Sequence, residues 1–363
     1  NITSKEIESL PVTSISAVVG LQAGVQGTTI RGGASDQTAF MLDGLTLRDE
    51  RNNTPITGIS LSAVQDIQVQ TGGFNAEYGN IRSGIVNVIT KEGNPKQYTV
   101  SITGRYSPPT TKNFGGNIFD KNSYWIRPYL DPEVAFVGTK NGSWDYFTQQ
   151  QFQAFEGWNS ISEKTMKDPN PAKHLTPLAA QQLFLFQHRK SADIIQPDYD
   201  VDMGIGGPVI PMIGDQFGNL RFFASYRSAR TMYMIPLATN DYRDYTGQLK
   251  VTADITGGMK IMFQGLQGQQ YGTTNSRTGL PGFFTSPGSI AREITVGGSF
   301  ADSRMYSDAY WSPSKVNTSS YGTKFTHILS SVTSYEISIN RVVSQYQTNP
   351  GRSRNTDSVY SFG

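Results

Sequence analysis

From residue 96 onward the chain keeps a two-residue alternation over unusually long segments, and this feature limits its fold more than any other. In 96–106, Tyr98, Val100, Ile102, Gly104 and Tyr106 share one face, while Thr99, Ser101, Thr103 and Arg105 share the other. The stretch 245–255 repeats the pattern, with Leu249, Val251, Ala253 and Ile255 opposed to Thr246, Gln248, Lys250, Thr252 and Asp254. About seven such strands are read, near 96–106, 197–209, 218–230, 243–256, 258–271, 319–329 and 332–346. Strands of soluble sheets average about five or six residues, whereas a tilted strand needs roughly 9 to 11 to cross a bilayer. The links at 210–217, 256–258 and 329–332 are short; those at 107–196, 231–242 and 272–318 are mostly long. Short turns at one end and long loops at the other, with Tyr98, Tyr106, Tyr226, Tyr245, Tyr271 and Tyr335 near strand ends, favour an antiparallel barrel of the outer membrane over the alternative, a soluble sandwich.

Composition removes several competing functions. Lys plus Arg number 31 against 29 Asp plus Glu, a net charge of +2, so no broad basic field exists to attract nucleic acid. Cysteine is absent, which excludes disulfides, thiolate catalysis and Cys-ligated metal centres. The three histidines, His174, His188 and His327, lie far apart without metal-ligand spacing. Asp198, Asp200 and Asp202 alternate on one strand, which admits a calcium site or, more simply, a wet barrel interior. The chain lacks a Gly-x-Ser-x-Gly elbow, a phosphate-cradling loop with Lys, and paired catalytic carboxylates. Neither an enzyme nor a cofactor or metal is expected. The 37 Gly, 18 Tyr and 19 Phe, without an apolar run long enough for a membrane helix, suit both a soluble β-protein and a barrel.

Residues 1–93 read differently, as a mixed unit of short apolar segments separated by glycine turns at Gly32-Gly33, Gly72-Gly73 and Gly79. A helix is predicted to begin near Thr3, and a weaker one at Ile59–Val64. The 107–196 insertion carries Trp125, Trp144, Trp158 and Pro-bounded turns. It should hold a small core of its own, with a helix near Thr176–Arg189 whose Leu178, Gln182, Leu185 and Phe186 share a face.

The motifs of the first unit are specific. Ile30-Arg31-Gly32-Gly33, Phe40-Met41-Leu42-Asp43-Gly44 and Ala63-Val64-Gln65-Asp66-Ile67-Gln68-Val69 follow one another at the spacing of a TonB-dependent receptor plug, which they resemble. Thr71-Gly72-Gly73-Phe74-Asn75-Ala76-Glu77-Tyr78-Gly79 and Ser83-Gly84-Ile85-Val86-Asn87-Val88-Ile89-Thr90-Lys91 resemble the closing plug motifs of a subgroup common in Bacteroidetes-type bacteria, often preceded by a carboxypeptidase-regulatory-like domain. The resemblance implies a mainly β protein: a small α+β plug, residues 1–93, enclosed by a transmembrane antiparallel β-barrel of about 22 strands. Residues 94–363 would supply its first seven or so strands and the long extracellular loops 107–196 and 272–318.

It further implies a receptor in the bacterial outer membrane, bounded by outer-membrane lipid. Such a receptor imports a scarce nutrient such as a siderophore, glycan or peptide, with energy from a TonB-type protein acting through a segment upstream of Asn1. Arg31 looks like the family arginine that pairs with barrel carboxylates. Thr71-Gly72-Gly73 departs from the Arg-Gly-Pro of many siderophore receptors, so a second locking arginine is missing. By motif position the apical turns are 24–27, 34–37 and 48–53, making Gln26, Ser35, Asp36, Gln37, Arg48, Asp49, Arg51 and Asn52 the ligand-binding candidates, with ordinary solvated loops the alternative. Asn1 is not an initiator Met, and seven strands cannot close around such a plug, so a longer protein is expected, with a second polypeptide supplying the remaining strands as the alternative. A second reading is a receptor-like component of a surface assembly whose loops dock a lipoprotein or other subunit. A third is an adhesin or soluble carbohydrate-binding β-protein.

Overall fold

The alternating segments pair strictly in chain order into one seven-stranded antiparallel sheet. The computed structural model describes residues 1–26, 29–33, 37–49, 51, 54–56, 58–73, 82–110, 112, 117–189, 195–210, 218–235, 237–274, 283 and 311–349. Its N-terminal strands are β1 (Ile2–Thr3), β2 (Val25–Gln26), β3 (Thr29–Ile30), β4 (Thr38–Leu42), β5 (Leu45–Thr46), β6 (Arg48–Asp49), β7 (Thr54–Pro55), β8 (Val64–Gln70) and β9 (Gly84–Thr90). The long strands are β10 (Thr99–Ser107), β11 (Asp198–Pro208), β12 (Arg221–Met232), β13 (Asp241–Thr256), β14 (Met259–Thr274), β15 (Ser312–Ser330) and β16 (Thr333–Thr348). The helices are α1 (Ser4–Ser9), α2 (Ile15–Val19), α3 (Arg127–Leu130), α4 (Tyr146–Gln151), α5 (Trp158–Met166) and α6 (Pro177–Gln187).

The N-terminal unit is a five-stranded sheet in the order β1-β8-β9-β4-β5, with β4 and β9 parallel at its centre. The helix predicted near Thr3 forms as α1, where the Thr3 N–H donates to the Glu6 carboxylate at 2.7 Å. The weaker helix at Ile59–Val64 is only a 3₁₀ turn over Leu61–Ala63. In the apolar run 14–21, Ser14 accepts the Ala17 N–H and starts α2, which buries Ile15, Val18 and Val19. These pack with Phe40, Leu42, Val86 and Val88 on one face of the sheet, while Ala39, Met41 and Ile85 cluster on the other. Strands covered on both faces read as continuous apolar runs, which is why 38–42 shows no alternation.

β4 and β5 are joined by Asp43-Gly44, with Leu42 opposite Leu45 and φ of +52° and +81° at the two turn residues. This is the two-residue hairpin that needs positive φ twice, and Asp-Gly supplies it at small strain.

The long sheet inverts the soluble pattern. On β13 the polar residues Thr246, Gln248, Lys250 and Thr252 are buried beneath the N-terminal unit, while Leu249 and Ile255 are 42% and 52% exposed. Ile261 and Phe263 on β14 and Ile337 and Ile339 on β16 are likewise exposed. An apolar outer face over a polar inner one fits hydrocarbon outside and a wet lumen inside. The hairpins at 257–258 and 331–332 lie at one end, and the connections 108–197, 233–240 and 275–311 at the other. β14 and β15 extend beyond the predicted ends, to Thr274 and back to Ser312. In Ser312–Thr318 the buried face carries Ser312 and Ser314 beside Val316, so the stretch shows no apolar-polar alternation to read.

The chain passes between the two sheets at Gly93, where a Cβ would lie 2.1 Å from the Phe222 carbonyl and 2.8 Å from that of Gly207. Only glycine lets the backbone pass so close to the wall. The first long connection holds its own core, in which Ala135, Trp158 and Ala180 are buried against Tyr129, Phe136, Phe155 and Phe184. The predicted helix appears there as α6, joined by α3, α4 and α5, which lack a long apolar stripe in sequence.

Candidate functional site

The two sheets touch in two zones. At the short-turn end the contacts are ionic. The Asp43 carboxylate accepts from the Thr90 N–H at 3.0 Å, the Thr90 hydroxyl at 2.6 Å and the Lys250 ammonium at 2.9 Å. Lys250 and Asp43 side chains are 4% and 6% exposed, so the pair is buried. Two residues on, Glu92 receives Arg221 and Lys260, each at 2.7 Å, and Arg221 also holds Asp254 at 2.6 Å. Burial alone would raise the Glu92 carboxyl, but the hydrogen bonds from Lys260 and Arg221 outweigh it and hold the group below the ordinary glutamate value. Nearby, Asp202 caps the 3₁₀ turn, accepting from the Ser60 hydroxyl at 2.5 Å and the Leu61 N–H at 2.9 Å. Leu266 of β14 enters the apolar core of the N-terminal unit.

Toward the long-loop end the sheets part around a cavity of about 170 Å³. One wall is the β6–β7 hairpin and the segment after it, with Asp49, Pro55, Ile56 and Gly58. The other is formed by β13 to β16, including Asp244, Thr246, Leu266, Gln269, Gln270, Val316, Thr318, Ser344 and Tyr346. Asp244 is paired with Arg227 at 3.3 Å, which also reaches Asp200 at 3.0 Å. The Arg51 N–H donates to the Asp49 carboxylate at 3.1 Å, and its guanidinium lies 4.9 Å from the Tyr346 ring centroid. Carboxylates, amides and hydroxyls converging over an apolar floor of Ile56, Leu266 and Val316 suit a polar solute held by several hydrogen bonds.

Of the residues predicted from sequence, Arg48, Asp49 and Arg51 come together at this hairpin, and Asp49 lines the cavity directly. Gln26 is exposed on the separate β2–β3 hairpin. The Gln37 carbonyl accepts the Arg82 and Ser83 N–H groups, which ties it to the start of β9. Ser35, Asp36 and Asn52 lie outside the described residues. Arg31 is exposed at φ +52°, beside Gly72, with no carboxylate within ion-pair distance among the described residues. Asp198, Asp200 and Asp202 each have separate partners: Lys112 with the Met232 N–H, Arg227, and the Ser60 turn. No group of possible metal ligands forms among the described residues.

Sequence reasoning missed the wall residues Asp244, Gln269, Gln270, Ser344 and Tyr346. Inward parity selects Asp244, Gln270, Ser344 and Tyr346 but not Gln269, and depth along the strand does not show in alternation. It also missed the ionic zone, although Asp43 and Lys250 stood in segments it had singled out and Glu92 directly follows the last plug motif.

Residues 1–86 match the family model of the TonB-dependent Receptor Plug Domain. Over 91 residues the chain is 29% identical to the TonB-dependent transporter Oar of Myxococcus xanthus, a stretch that makes up 25% of this chain and 8% of that protein. The fold resembles the siderophore receptor PirA from Pseudomonas aeruginosa, with a TM-score of 0.52 at 13% identity, covering 96% of this chain and 40% of that one. The chain therefore spans well under half the length of the relatives it matches.

Proposed function

From the premise that this chain is part of a TonB-dependent receptor of the outer membrane, a plug against the strands of its barrel, we propose that the whole protein imports a scarce solute when the plug is displaced. The displacing partner is a TonB-type energy-transducing protein acting through a segment upstream of Asn1. The plug ends at residue 93 and the barrel begins at 94. Solute enters from the long-loop end and meets Arg48, Asp49 and Arg51 first, and Gln26, Ser35, Asp36, Gln37 and Asn52 are the further ligand-binding candidates. Arg31 serves as a plug-to-barrel contact. The solute is a polar molecule such as a siderophore, glycan or peptide.

The observation that carries this reading is the cavity between the β6–β7 hairpin and the polar barrel wall, which lies nearer the long-loop end than the buried Asp43–Lys250 contact. A deletion strain compared with wild type on single sources of iron, glycan and peptide identifies the solute whose use is lost. Radiolabelled uptake of that solute should stop when the proton gradient is collapsed. Uptake that persists without the gradient, or a deletion without any nutritional defect, overturns import.

One observation favours a second reading. The 118–189 loop unit has its own aromatic core yet leaves Tyr146 and Phe147 70% and 75% exposed, a surface suited to docking a lipoprotein or another subunit. Stable co-purification with such a subunit, without gradient-dependent uptake, would support assembly over import.

A further inference from the structure

The two sheets are joined at one place by an ion pair whose side chains are almost wholly buried. The Lys250 ammonium donates to the Asp43 carboxylate at 2.9 Å and to the Thr90 carbonyl at 3.1 Å. Asp43 sits in the turn after β4, and Thr90 is the last residue of β9, so one barrel lysine holds the ends of both central plug strands. Asp43 itself bridges to Thr90 through two further hydrogen bonds. Beyond Thr90 the chain meets a second cluster, in which Glu92 is shared by Arg221 and Lys260 and lies 3.9 Å from Lys250. The charges run opposite to the arrangement expected around Arg31: here the plug supplies the carboxylates and the barrel the cations.

We propose that Lys250 is the positioning residue through which the barrel holds the plug's closing strand, and that its release from Asp43 is the step that frees the plug. A buried pair of this kind does not loosen gradually. Separating it strands a charge in a dry site until water enters, so the contact tends to be either whole or lost. Glu92, more exposed and served by two cations, keeps the following linker near the wall in either state.

The inference rests on the plug-and-barrel reading but not on import, because hydrogen exchange of the full-length receptor in proteoliposomes needs neither solute nor an energised membrane. Failed import with the expected exchange leaves the inference standing. Exchange that contradicts it overturns it even where import succeeds. In Lys250→Met, amides of 38–47 and 84–93 should exchange faster by on the order of a hundredfold, with β12 and β13 unchanged. Lys250→Arg should restore most of the protection. Asn340→Ala removes a different interface hydrogen bond, to the Thr46 carbonyl, and should leave 84–93 as in wild type.

Unchanged exchange in Lys250→Met, acceleration spread equally over the barrel strands, or an equal effect of Asn340→Ala overturns the proposal. If Lys250→Met fails to assemble, Lys250→Gln, which keeps a hydrogen-bond donor but no charge opposite Asp43, provides the same comparison. The wild-type protein supplies a further check. Under rising urea the Thr90 and Asp43 amides should open in one cooperative unit, and opening at separate concentrations overturns the proposal.

Discussion

Glu92 illustrates how much a single side chain owes to its neighbours. It faces Arg221, Lys260 and, farther off, Lys250, while Asp254 shares Arg221. Its carboxyl is held below the ordinary glutamate value, so the stabilisation is fully present above that value and fades as pH falls through the depressed one. Plug docking in the wild type should therefore weaken toward acid pH. Glu92→Gln should be less stable at neutral pH and lose less on acidification, as measured by the thermal midpoint of plug exchange between neutral and acid buffer. An identical acid loss in both proteins would place the titrating group elsewhere. Sequence placed Glu92 at a boundary but not in an ion cluster, since its partners lie 129 and 168 positions away.

Among the elements, legibility followed periodicity. All seven long strands were visible, because each carries a stretch in which an apolar outer face alternates with a polar inner one. α6 was visible as an apolar stretch behind a Thr-Pro start, and Thr176 does accept the Ala179 N–H. α3, α4 and α5 were not, since each is short and held by ring packing rather than by a stripe of its own. Trp158 is the centre of that packing. Its indole N–H donates to the Tyr129 carbonyl at 2.9 Å, and its ring lies 5.0 Å from Phe155 and 5.5 Å from Phe184, centroid to centroid. Trp158→Ala should cost the loop unit roughly 3–5 kcal/mol. Limited proteolysis should then cut between 118 and 189 much faster while the barrel strands stay protected. Unchanged cleavage would mean that the loop does not depend on this core.

At the scale of the whole molecule, the barrel wall is an amphipathic sheet with its polar side turned inward. Leu249→Arg on the outer face should reduce insertion by roughly 2–4 kcal/mol if the residue sits near mid-membrane. The check is the heat-modifiable gel shift of folded barrel, and an undiminished folded fraction would place Leu249 outside the lipid. The family motifs, the seven strands and the polarity of their faces follow from sequence alone, because motif spacing and period-two alternation are local properties of the chain. The cavity, the approach of Gly93 to the wall and the pairing of Asp43 with Lys250 were decided only by the tertiary structure. Each depends on how deeply the plug sits against the barrel. That depth is set by complementary packing and charge between residues more than two hundred positions apart, such as Asp43 and Lys250, which no local pattern encodes.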